Sequence, residues 1–133
     1  MIGLLIISHC DLGKELLNAA ELIVGRLEAA DSISITQTTE SSEILEEISK
    51  KIRALNQGQG VLVLTDMFGG TPSNLSLSFL NDEKVEVLTG VNLPMVIAVS
   101  NDRDRLTLGE LGEKAEQAGK RSITLARKLL KTA

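Results

Sequence analysis

Residues 2–11 read IGLLIISHCD, and the change of pattern inside them decides the fold. Residues 2–8 (IGLLIIS) are apolar without alternation, as in a strand buried on both faces of a parallel sheet. From Asp11 the period lengthens. Leu12, Leu16, Ala20, Ile23 and Val24 recur at helical spacing, and Asp11 stands where a cap belongs.

The same alternation continues along the chain. Residues 32–36 (SISIT) alternate as a strand does. Ser41 or Ser42 is then placed to cap a helix with the apolar stripe Ile44, Leu45, Ile48, Ile52 and Leu55. Glu43, Glu46 and Glu47 lie early in that helix and Lys50, Lys51 and Arg53 late, which suits its dipole. Residues 58–60 (GQG) punctuate, and Val61–Thr65 (VLVLT) is a second wholly apolar strand. Thr71-Pro72 reads as N-cap and first helical residue, with Leu75 and Phe79 inward. Residues 84–89 (KVEVLT) alternate, as near a sheet edge. Residues 95–99 (MVIAV) leave two readings open, since β-branching favours a strand while Pro94 suits a helix start. Thr107 and Glu110 have capping-box spacing ahead of Leu108, Leu111, Ala115 and Ala118, and Gly119 is expected to end that helix. Residues 102–105 (DRDR) read as a solvated turn, and Ile123 and Leu125 as a short terminal strand.

Strands alternating with helices imply right-handed βαβ units in a doubly wound, mostly parallel α/β sheet. Placing the two wholly apolar strands centrally gives the order 2-1-3-4. The winding then reverses between strands one and three, where such folds bind ligands.

Composition bounds the function. The 133 residues suit one domain, 1–133, and 43% hydrophobic residues with mixed charges describe a globular chain. A net charge of −4 disfavours nucleic acid, and with no Trp, no Tyr and two Phe there is little to stack bases or a flavin upon. No apolar run is long enough for membrane insertion, and the start shows no signal-peptide pattern. A single cysteine, Cys10, fits a reducing compartment, so a cytoplasmic protein is expected. One His and one Cys are too few to ligate a soft metal.

The crevice receives Ser8-His9-Cys10-Asp11 from strand one and residues 65–74 (TDMFGGTPSN) from strand three. Asp66 beside the only histidine can accept a hydrogen bond from one ring nitrogen and leave the other free to attack. Gly69, Gly70 and Thr71 lead into a helix with free N–H groups, an anion cradle. Ser8, Phe68 and Asn74 are assigned to the surrounding pocket. Each feature alone has a plainer reading: a satisfied loop histidine, a turn-capping Asp, ordinary Gly-Gly turn chemistry. Their convergence at the switch point favours a phosphoryl acceptor, whereas Cys10 reads as structural.

Three stretches carry a family resemblance: S-H-x-x-x-G (Ser8, His9, Gly13), residues 65–74, and residues 90–95 (GVNLPM). They resemble the EIIA domain of the mannose class in the bacterial phosphoenolpyruvate-dependent sugar phosphotransferase system, over nearly the whole chain. The resemblance implies that His9 is phosphorylated on the nitrogen remote from Asp66, with Gly70 and Thr71 helping to hold the group. It implies a helical 95–99 segment, and a homodimer whose strand around Ile123 and Leu125 pairs with the partner's sheet. HPr would be the donor and an EIIB component the acceptor, expected as a separate chain because no linker follows. Transfer between two histidines calls for no cofactor. The rivals are a receiver phosphorylated on Asp66, which lacks the acidic pair for Mg²⁺, a flavodoxin-like carrier, which lacks aromatics, a phosphorylation-state regulator feeding no transporter, and a relative serving dihydroxyacetone kinase.

Overall fold

The computed structural model describes residues 1–132. Its elements run β1 (Gly3–His9), α1 (Leu12–Val24), β2 (Ala30–Ile35), α2 (Ser41–Leu55), β3 (Val61–Thr65), α3 (Thr71–Leu77), β4 (Val85–Thr89), α4 (Leu93–Asp102), α5 (Leu108–Arg121) and α6 (Ala126–Thr132). The strands form one parallel sheet in the expected order β2-β1-β3-β4. Ile2, Leu4, Ile6, Leu62 and Leu64 pack with buried residues of α1, α4 and α5. Leu5, Ile7, Val61 and Val63 pack on the opposite face with the α2 stripe Ile44, Ile48 and Ile52. With both faces covered, the central strands have no reason to alternate. Among the described residues, no helix is long and apolar enough to cross a membrane.

The open segment 95–99 is helical, within α4. Pro94 takes an early helical position, the Asn92 side chain caps the Met95 N–H at 3.0 Å, and Met95, Val96 and Val99 face the core.

Several local expectations need correction. Asp11 occupies the N-cap of α1 but makes no capping bond, because its carboxylate accepts from Ser34 Oγ at 2.7 Å instead. The buried face of α1 is Gly13, Leu17 and Ala20, while Leu12, Ile23 and Val24 are exposed. The helix is rotated so that its glycine meets β1. Glu40, not Ser41 or Ser42, is the N-cap of α2, and Gly70, not Thr71, that of α3. The capping box at Thr107 and Glu110 forms as expected. However, α5 continues through Gly119 to Arg121, since Met95 packs against the bare glycine and Asn92 Nδ2 donates to its carbonyl at 3.1 Å.

Residues 123–125 form no strand in the single described chain. A strand needs an edge to pair with, and here the chain turns into α6, whose ARKLLK stretch is rich in good helix formers. Residues 102–105 are not a solvated turn either. Asp102 and Arg103 are buried, at 7% and 4% exposure. The Arg103 guanidinium donates to the carbonyls of Ala29, at 3.0 Å, and Glu28, and its own carbonyl accepts the Ile2 N–H at 3.0 Å. Asp102 in turn accepts from Lys114 at 2.8 Å and from Arg105. This end of the sheet is thus stapled by charge-assisted bonds. Arg103→Met removes the charge-assisted donor to the Glu28 and Ala29 carbonyls, the latter keeping the Leu4 N–H at 2.9 Å, and should lower stability in urea unfolding by about 1–3 kcal/mol. Arg105→Met, whose side chain is 60% exposed, should change the urea midpoint far less than Arg103→Met.

Candidate functional site

β1 and β3 are parallel neighbours with Ile7 paired to Thr65, so His9 and Asp66 emerge together at the carboxyl end. Asp66 Oδ2 accepts the His9 backbone N–H at 2.9 Å and lies 2.7 Å from His9 Nδ1. Asp66 Oδ1 accepts the Met67 N–H at 3.0 Å. An ionised carboxylate only accepts, so the facing Nδ1 carries the proton and Nε2 keeps its lone pair. The His9 side chain is half exposed, whereas Asp66 is nearly covered. Burial acts to raise the Asp66 pKa, but the hydrogen bonds from the His9 backbone and ring outweigh it. The carboxyl is held below the usual aspartate range.

The loop after β3 closes on the ring. Gly69 turns with φ +86°, and a Cβ on Gly70 would lie 3.0 Å from His9 Cε1 and 3.6 Å from Nε2. Only a glycine lets the backbone approach the free nitrogen this closely. Thr71 follows, exposed, as the first residue of α3. Asn74 acts on the loop: its N–H donates to the Gly70 carbonyl at 2.9 Å and its Nδ2 to the Gly69 carbonyl at 3.3 Å. Phe68 is 73% exposed, on the rim.

On either side of His9 in the chain, Ser8 is wholly buried and Cys10 is exposed with φ +50°. The Cys10 N–H donates to the Ile35 carbonyl at 2.9 Å, and Ser34 reaches Asp11. The sequence reading missed Ser34 and Met67. Ser34 stands at the end of β2 opposite Ser8, a register that no local spacing reveals. Met67 contributes a backbone N–H, to which residue type gives no clue.

This geometry defines a doubly wound α/β domain with a histidine–carboxylate pair at its switch point. The sequence matches the family described as PTS system fructose IIA component, EIIA-man, over residues 3–116. The chain belongs to that family, the mannose-class EIIA components of the sugar phosphotransferase system. It is 31% identical over 104 residues to the mannose-specific EIIAB component of Escherichia coli, covering 77% of this chain and 32% of that longer one. It is 29% identical over 112 residues to the fructose-specific EIIA component of Bacillus subtilis, covering 84% of this chain and 77% of that one. The crystal structure of phosphotransferase system component EIIA from Streptococcus agalactiae superposes with a TM-score of 0.88 at 25% identity, covering 96% and 99% of the two chains. The receiver and flavodoxin-like alternatives fall away with this membership.

The depressed pKa of Asp66 has a consequence for stability. Folding favours its ionised form, so the contribution is fully present above the unfolded aspartate pKa and is lost as pH falls through the lower folded value. Asp66→Asn should therefore flatten the loss of urea stability below about pH 4, read from urea midpoints across the acid range.

Proposed function

We propose that His9 carries the phosphoryl group of this EIIA domain, taking it from the phosphohistidine of HPr and passing it to an EIIB component. The observation that carries the reading is the His9 Nδ1 to Asp66 Oδ2 contact of 2.7 Å, which leaves Nε2 free beside Gly70. In the forward step the Nε2 lone pair forms a bond to phosphorus. The donor's P–N bond breaks, and its electron pair returns to the donor imidazole. His9 becomes a phosphorylated imidazolium that keeps its Nδ1 proton, and the Asp66 carboxylate stabilises that positive charge. No proton need leave the pair. Backbone N–H groups at Gly69, Gly70 and Thr71, with the Thr71 hydroxyl, are assigned to the phosphoryl oxygens. Positioning and charge neutralisation supply the catalysis, and no cofactor takes part. The expected cytoplasmic placement goes with this role.

Incubated with phosphoenolpyruvate, enzyme I and HPr, the protein should gain one acid-labile, base-stable phosphoryl group per chain. His9→Ala should gain none, and Asp66→Asn should label about 10²–10⁴-fold more slowly. Normal labelling of His9→Ala, or labelling of Asp66 by acetyl phosphate and Mg²⁺ in preference, would refute the assignment.

We also infer a homodimer in which residues 123–125 pair with the open edge of β4 in a second copy. β4 is an edge strand, and the groove beside it is lined by Glu86, Glu113 and Glu116. The residues after Gly119 carry Lys120, Arg121, Arg127, Lys128 and Lys131 and no acidic side chain. Ile123 and Leu125 are 79% and 66% exposed. An unpaired edge in an acidic groove and a cationic, apolar arm complement each other in backbone bonding, burial and charge. Sedimentation should find a dimer that weakens in high salt, and a monomer for the chain shortened after Gly119. A full-length chain that sediments as a monomer in low salt would refute it.

A further inference from the structure

We propose that Ser8 is a positioning residue for His9, its hydroxyl acting as a latch that closes the turn after β1. This deepens the phosphocarrier reading and rests on it. Ser8 Oγ accepts the Gly13 N–H at 2.8 Å and donates to the Cys10 carbonyl at 3.2 Å. Gly13 is the second residue of α1, so its N–H has no acceptor within the helix. The capping that Asp11 does not provide thus comes from five residues upstream. A Cβ on Gly13 would stand 3.2 Å from Ser8 Oγ and 2.8 Å from Ile6 Cγ2, so the latch requires a glycine at its far end.

The latch acts on His9 through Cys10. Cys10 holds a left-handed φ of +50°, which disfavours a residue with a side chain and persists only while its surroundings fix it. Two bonds do so: its N–H to Ile35 and its carbonyl to Ser8. Freed from Ser8, the turn relaxes and the His9 N–H swings away from Asp66. One oxygen, Oδ2, receives both that N–H and the ring Nδ1, so backbone movement disturbs the ring bond as well. Ser8 therefore sets the tautomer without touching phosphate.

Because His9 is the only histidine, ¹⁵N spectra of the imidazole need no assignment. Wild type should show Nδ1–H alone. Ser8→Ala should add the Nε2–H form, and its phosphoryl acceptance should fall about tenfold in kcat with KM for phospho-HPr unchanged. Ser8→Thr, which keeps the hydroxyl, should restore both readouts. A Ser8→Ala protein with wild-type tautomer and kcat overturns the latch. If Ser8→Ala does not fold, Ser8→Thr is compared with Ser8→Cys, which has only a weak donor. Equal tautomers and rates in those two overturn it too. Failure of wild type to accept phosphate on His9 would instead overturn the phosphocarrier reading, while the tautomer comparison still decides the latch.

Discussion

One carboxylate oxygen, Asp66 Oδ2, takes both the backbone N–H and the ring Nδ1 of His9, and the site is organised around that double contact. Holding the ring nitrogen alone would fix a tautomer but leave the side chain free to rotate. Holding the backbone as well pins the residue at two points, so the ring has little orientational freedom left to lose. The contact exists only because β1 and β3 are parallel neighbours in a register that ends them almost together. Asp66 is itself held by the Met67 N–H, and its depressed pKa keeps it ionised.

The two ends of the sheet are built differently. The carboxyl end is loops and glycines, with a half-exposed imidazole and an exposed phenylalanine at its rim. The amino end is closed by Arg103, which ties α4 to the chain entering β2, and by Asp102 bridging to Lys114 of α5. Burial lowers the Arg103 pKa, opposed by Asp104 and Glu28, yet a guanidinium remains charged, so its bonds persist across ordinary pH. Between the ends, apolar cores on both faces hold the strands in register. Rigidity at one end and in the middle lets the other end consist of turns.

Charge is segregated in a way the modest net value hides. The arm after Gly119 is wholly cationic in its ionisable side chains, and the body before it is strongly acidic. The arm's leucines and isoleucine are exposed in the single chain.

The sequence by itself determined the sheet order and the pair at its switch point. Two strands without alternation had to be central, and the only histidine and Asp66 had to follow them. It also set the Thr107 capping box, because that signal is local. Tertiary packing decided what local pattern left open or misread. The 95–99 segment is a helix because Asn92 caps it and its apolar stripe meets the core. Asp11 does not cap because Ser34, brought alongside by β2, takes its carboxylate. Arg103 is buried where its guanidinium reaches the Ala29 and Glu28 carbonyls of a distant turn. Ser8 Oγ accepts the Gly13 N–H only because the start of α1 folds back over the end of β1. In each case the deciding partner comes from another turn of the chain, and spacing along the sequence records only the periodicity of one element, not the groups another element brings to it.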